Sequence, residues 1–146
     1  MIVSTAWAGK RYAVLGLARS GLATVRALAA AGAFVVAWDQ DAAARAKAEA
    51  IDGVILHDIA ALDLTGAAGL VVSPGVPLNT HPIAAQARAA GVPIIGDIEL
   101  FAEARAELPA HKVVGITGTN GKSTTTALVA HILDVANLPV TMGGNI

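Results

Sequence analysis

The residues best equipped for chemistry stand late in the chain, in VVGITGTNGKSTTTALVAHIL at positions 113–133. An apolar run ending at Ile116 feeds TGTNGKST, and an apolar helical pattern resumes within the lysine and hydroxyl residues. A strand that enters such a turn and leaves it as a helix converges several N–H groups and a positive helix terminus on one point. That arrangement cradles phosphate. Gly118 and Gly121 allow positive φ and close approach, Lys122 reaches terminal phosphates, and the Ser123 hydroxyl is the magnesium ligand, with Thr124 beside it. Thr119 and Asn120 complete the turn. The general pattern G-x-x-x-x-G-K-[ST] is broken at its first position, where Ile116 stands and the neighbouring glycines are Gly115 and Gly118.

Two earlier loops carry a related signal. In VLGLARSGLATVRAL a strand runs into Gly16, Leu17, Ala18, Arg19, Ser20 and Gly21 before a helix. Against the dinucleotide fingerprint G-x-G-x-x-G, the middle glycine is Ala18, which disfavours a standard NAD grip yet leaves the helix terminus open to a diphosphate. Asp39 ends the next apolar run, where a dinucleotide fold places its ribose-binding acid. In VVSPGVP, Ser73, Pro74 and Gly75 sit at the carboxyl end of a further strand, the edge at which open α/β sheets bind ligands. Taken singly, the first of these is also readable as a tight turn and the last as a Pro-Gly turn. Together they point to one long phosphorylated ligand.

The elements that must position these loops are short continuous apolar runs at 12–17, 34–38, 53–56, 69–73, 92–96 and 112–117, separated by alanine-rich helical stretches. Runs without alternation suit a parallel sheet covered on both faces, and right-handed crossovers then give an α/β, doubly wound, Rossmann-like sheet. Pro82 suits a first helical position, with Thr80 or His81 as its cap. A boundary falls at 108–111, where a helix stops before Pro109. The organisation expected is a domain over 1–110 and, over 111–146, the first strand, loop and helix of a P-loop ATPase domain. The second piece is too small to hold a core alone. His57, His81, His111 and His131 lack metal-ligand spacing and read as surface or capping residues. Trp7 and Trp38 read as packing, and Asp97, Glu99, Glu103 and Glu107 as a solvated helix face.

Composition narrows the function classes. With 55% hydrophobic and 14% charged residues in 146, the chain is a globular protein with a substantial core. A net charge of −1 leaves no basic field for gripping nucleic acid, so a bound anion is held by local geometry. The chain has no cysteine, which excludes disulfides and thiolate metal sites and matches a reducing, cytoplasmic setting. No apolar stretch reaches the roughly 18 residues of a membrane span, and the first residues lack a secretory pattern.

In GLARSG, SPGVP, GVPIIGDIELF, GITGTNGKSTTTAL and the terminal GGNI, the chain resembles the Mur ligase family, from about Tyr12 to Ile146. GDIELF together with SPGVP resembles the branch of that family that adds D-glutamate. The resemblance implies a Rossmann-like domain holding the UDP part of UDP-N-acetylmuramoyl-L-alanine, a central ATPase domain, and a third domain that binds the incoming amino acid. It implies ATP and Mg2+ as cofactors and an acyl phosphate on the substrate carboxylate that the amine attacks. Lys122 and Ser123 would then serve ATP and magnesium, the other residues of the Gly118–Thr124 loop would hold ATP, and Asn145 would act near substrate and phosphate. The GLARSG residues, Asp39 with Gln40, and Ser73 to Gly75 would hold uracil, ribose and diphosphate, although some relatives carry a hydroxyl residue at Gln40. The family's later magnesium acid, histidine, modified lysine and third domain lie beyond Ile146, so an N-terminal fragment, inactive alone, is expected. An NAD(P)-binding oxidoreductase and a non-enzymatic nucleotide-binding module remain the alternatives.

Overall fold

Five of the apolar runs become strands of one sheet, in a computed structural model that describes residues 1–144. The strands are β1 (Arg11–Leu15), β2 (Phe34–Trp38), β3 (Val54–Leu56), β4 (Gly69–Val72) and β5 (Ile94–Ile95). All pair in parallel, in the order β3-β2-β1-β4-β5. The chain winds outward from β1 through β2 to β3, then returns to the other side of β1 for β4. That reversal puts a topological switch point between β1 and β4, where the turns leaving the two strands diverge and open a crevice.

Strand side chains alternate between two cores. Tyr12, Val14, Val35, Ala37 and Val71 pack with Trp7, Val25, Leu28 and Leu100 on one face. Ala13, Leu15, Leu70 and Val72 pack with Ile59, Leu64, Ile83 and Ala87 on the other. Both faces are thus dry, as apolar runs without alternation require. Each fully buried Leu, Ile or Val contributes roughly 1.5–3 kcal/mol of transfer free energy. Helix α1 (Arg19–Ala30) buries Gly21, Thr24, Val25 and Leu28, the 3.6-residue spacing of a single stripe. Helices α2 (Ala42–Glu49) and α4 (Asp97–Ala104) add Ala48, Leu100 and Ala104 to the same face, and α3 (Ile83–Ala89) covers the opposite one. Helix α3 starts one residue later than Pro82 suggests, and His81 is its cap, its Nδ1 accepting from the Ile83 amide at 3.2 Å.

The chain divides into two units, Met1–Leu108 and Pro109–Ile146. The second contains helix α5 (Lys122–Val135), which ends where Asn137 turns into the left-handed region at φ 55° and the Leu138 amide donates back to the Leu133 carbonyl. The expected strand over 112–117 is not formed. A strand exists through its ladder to a neighbour, and among the described residues the second unit has no other strand to pair with it. Val113 and Val114 are accordingly exposed. Leu128, Ile132 and Val135 lie uncovered along α5 at spacings of four and three.

Glu107 is exposed, as expected of a solvated face, and also ties the two ends of the first unit together. Its carboxylate accepts from the Thr5 hydroxyl at 2.7 Å, the Thr5 amide at 2.8 Å and the Ala6 amide at 3.0 Å. Glu99 and Glu103 also have partners, the Gly96 amide at 2.8 Å and the Tyr12 hydroxyl at 3.3 Å. Burial and the Glu103 charge push the Tyr12 phenol up to about 12. The Thr5 hydroxyl, with the Thr5 amide, Ser4 and Ala6, holds the Glu107 carboxyl below its ordinary value of 4.5. A depressed carboxyl stabilises the fold above its unfolded value, and that contribution is lost as pH falls through the folded one. Thermal melts between pH 6 and pH 3 should therefore converge for wild type and Glu107→Gln as acid removes the clasp, wild type being the more stable near neutrality. A constant gap across that range would refute the clasp.

Candidate functional site

The turn that leaves β1 is built around a single carbonyl. Gly16 has a φ of 90°, in the left-handed region that favours glycine, and its carbonyl oxygen accepts from the Ser73 hydroxyl at 2.8 Å. A Cβ added at Gly21 would lie 1.8 Å from the same oxygen. Gly21 therefore lets α1 press against the turn, and Ser73 staples the turn after β4 to the turn after β1 across the switch point. The Gly16 amide donates to the Trp38 carbonyl at 2.9 Å, which draws in the end of β2.

Asp39 continues the junction. Its Oδ2 accepts from the Leu17 amide at 2.6 Å and its Oδ1 from the Asp41 amide at 2.9 Å. A carboxylate offers about four acceptor positions, so these two bonds orient Asp39 and leave it acceptor capacity toward a ligand. Leu17 is buried, Ala18 is the exposed residue preceding α1, and Arg19 is the exposed first residue of the helix. Ser20 is half-buried, Gln40, Pro74 and Gly75 are exposed, and Ser73 is half-buried. The residues singled out in the first unit, from Gly16 to Gly21, Asp39 with Gln40, and Ser73 to Gly75, thus lie on three turns joined by hydrogen bonds.

A small cleft opens at this junction, between Ser20, Gly21, Thr24, Ser73, Pro74 and Asp97. Thr24 and Asp97 are additions that the sequence reading missed. Asp97 was expected on a solvated face; it is half-buried, the first residue of α4, where a helix N-terminus favours negative charge. Its only signal in the sequence is its place directly after the glycine that ends β5. Both tryptophans pack as expected: Trp7 is in one core, and Trp38, half-buried, packs against the other while carrying the Arg45 guanidinium over its ring at 4.6 Å.

The second unit holds its own cluster. Gly118 and Gly121 both have positive φ, 150° and 75°, and Gly121 is the left-handed residue from which α5 starts at Lys122. Lys122 Nζ donates to the Gly118 carbonyl at 2.6 Å and to the Thr119 carbonyl at 3.4 Å, folding over the turn. Thr119, Asn120, Ser123 and Thr124 are exposed around it, with Ser123 and Thr124 in the first turn of α5. An ammonium held above glycine-permitted backbone, with two hydroxyls at a helix start, fits the phosphates and magnesium of a nucleotide triphosphate. Asn145 lies outside the described residues.

The family described as Mur ligase MurD-like, N-terminal domain, matches residues 10–96. A UDP-N-acetylmuramoylalanine--D-glutamate ligase of Sphingopyxis alaskensis is 69% identical over all of this chain and 33% of that protein. Proteins of the same name from Novosphingobium aromaticivorans and Zymomonas mobilis are 66% and 55% identical, again over the whole chain and over 32% and 36% of their own lengths. The chain thus spans about a third of the length of the curated relatives it matches. Among solved structures, a D-isomer specific 2-hydroxyacid dehydrogenase from Xanthobacter autotrophicus Py2 is similar at 22% identity and a TM-score of 0.44, covering 90% of this chain and 69% of that one. A likeness of that size carries no argument.

The two neighbours of the Gly16 carbonyl are separable. Gly21→Ala should lower unfolding free energy by at least about 2 kcal/mol, because the clash is with backbone, whereas Ser73→Ala should cost about 1 kcal/mol, the worth of one hydrogen bond. Urea titrations of both variants check the order, and equal losses would show that the close approach of α1 is dispensable.

Proposed function

The chain belongs to the Mur ligase family with a MurD-like N-terminal domain, and from that membership we propose that residues 1–110 form the UDP-substrate-binding domain of an ATP-dependent ligase. The observation that carries the reading is the three-turn junction at the switch point, where Gly16, Asp39 and Ser73 converge through hydrogen bonds. The substrate is UDP-N-acetylmuramoyl-L-alanine and the amino acid added is D-glutamate, the reaction in the names of the relatives. The α1 terminus and its turn take the diphosphate, Asp39 and Gln40 face the nucleoside, and Ser73 to Gly75 close the opposite wall. Ala18 supports this reading over a nicotinamide site, since a side chain replaces the glycine that a dinucleotide grip brings closest to the pyrophosphate.

Residues 111–146 open the ATP site. Gly118, Thr119, Asn120, Gly121, Lys122, Ser123 and Thr124 would hold the phosphates, the Ser123 hydroxyl would ligate Mg2+, and Asn145 would stand near the substrate. ATP, when bound, supplies the phosphoryl group that activates the substrate carboxylate as an acyl phosphate for attack by the D-glutamate amine. Lys122 neutralises charge there and the turn amides orient the phosphates, the electrostatic contributions on which phosphoryl transfer depends. To do so its ammonium leaves the Gly118 and Thr119 carbonyls for the nucleotide. These 146 residues alone are read as not ligating, because among the described residues the second unit forms no strand to build an ATPase sheet. No helix among the described residues is long and apolar enough to cross a membrane, and a cytoplasmic setting fits the nucleotide substrates.

Calorimetric titration of this chain with UDP-N-acetylmuramoyl-L-alanine should release heat, and titration with NADH should not; heat with NADH alone would overturn the ligase reading. In the full-length parent, Lys122→Ala should lower ligation about a hundredfold or more and leave UDP-substrate affinity unchanged, because the two ligands occupy different domains. Parallel loss of both would refute that division.

A further inference from the structure

The turn after β2 is fixed by a residue that none of the nucleotide-binding patterns contains. Arg45, in the first turns of α2, is half-buried with its guanidinium 4.6 Å from the centre of the Trp38 ring. Its Nη1 donates to the Asp39 carbonyl at 2.7 Å and to the Gln40 carbonyl at 2.9 Å. Three other backbone groups of the turn have partners supplied by the fold itself. The Trp38 carbonyl accepts from the Gly16 amide, the Asp41 amide donates to Asp39 Oδ1, and the Asp41 carbonyl accepts from the Arg45 amide at 3.1 Å. The Asp39 and Gln40 carbonyls are thus the two groups whose orientation rests on a single side chain.

We infer that Arg45 is a positioning residue for the nucleoside end of the substrate, acting through Asp39; the inference rests on the reading of the switch-point turns as the UDP site. Its planar guanidinium lies over an indole while one nitrogen, Nη1, reaches both carbonyls, and a lysine ammonium lacks the flat face for that stacking. By holding those carbonyls, Arg45 sets the backbone from which the Asp39 carboxylate reaches the Leu17 amide at 2.6 Å. The position of Asp39, and of the β1 turn it grips, is in this way established before ligand arrives. With Nη1 engaged on the turn, Arg45 is assigned to act on the ligand through Asp39, and a phosphate clamp by Nη2 or Nε is the outcome that titration with uridine, UMP and UDP separates from it.

NMR titrations of the 146-residue chain with uridine, UMP and UDP test this, comparing wild type with Arg45→Met and Arg45→Lys. Met keeps a long side chain against Trp38 and removes the donors, while Lys keeps a charged donor. Arg45→Met should weaken all three ligands by one common factor of about ten, the worth of a charge-assisted hydrogen bond, and should shift the Leu17 amide resonance before ligand is added. Arg45→Lys should recover part of the affinity and of the Leu17 shift. Undiminished binding by Arg45→Met would overturn the inference, as would a loss that grows from uridine to UDP, since that marks direct phosphate contact. An unfolded Arg45→Met leaves the same decision to Arg45→Lys, where wild-type affinity and an unmoved Leu17 resonance would sink it. Wild type binding none of the three ligands would overturn the UDP-site reading itself, and the inference with it.

Discussion

The first unit depends on how closely α1 approaches the turn after β1. The Gly16 carbonyl has the Gly21 α-carbon on one side and the Ser73 hydroxyl on the other, with no room for a β-carbon at residue 21. Beyond the ladder that pairs β1 with β4, the turns that leave these two strands meet at that one oxygen. The parallel ladder between residues 12–15 and 69–72 sets the distance between β1 and β4, and dry packing on both faces holds the sheet in place, but packing is non-directional. The hydrogen bond adds direction, fixing which way the turns open. A crevice of defined shape therefore follows from a glycine that is absent of side chain and a serine that is not.

The parts of this arrangement that were legible in the sequence are those set by short-range pattern. Continuous apolar runs located five strands within one or two residues, because burial on both faces leaves no alternation to misread. Gly16 and Gly21 stood out because turns at strand ends restrict residue type. The run at 112–117 has the same apolar signature as the others, yet a strand is a property of pairs, and its own pattern is silent about the neighbour. The acidic residues Glu99, Glu103 and Glu107 are exposed as their helical spacing suggests, and only Asp97 is half-buried. What the spacing does not reveal is the partner that Glu107 finds in Thr5, about a hundred positions away, a contact that depends on where the two ends of the first unit meet. Arg45 left no trace, since an arginine early in an alanine-rich helix is unremarkable until the Trp38 ring is placed beneath it.

The two units differ in how they are stabilised. The first buries two apolar clusters, one on each face of its sheet, and its turns are held by side chains that reach across them. In the second, α5 buries none of its residues, and what order it has comes from local devices: a left-handed glycine before the helix, a left-handed asparagine after it, and a lysine folded onto its own turn. Local devices of this kind shape a loop without supplying the tertiary packing from which most helical stability derives.

Electrostatics adds a constraint on the crevice. Asp39, Asp41 and Asp97 all lie on turns or helix starts around the ends of the strands, in a chain whose net charge is already −1. An anionic ligand entering there meets no surplus of basic residues. The carboxylates are instead engaged by main-chain donors: Asp39 by Leu17 and Asp41, and Asp41 by Ala43 as the cap of α2. At the positive end of α1, Ala18 stands where Asp or Ser would normally accept from the first amides, so the N-cap residue itself makes no side-chain hydrogen bond. Acid groups thus close the other turn and helix start, while the helix terminus pressed against Gly16 begins at a residue with no capping side chain.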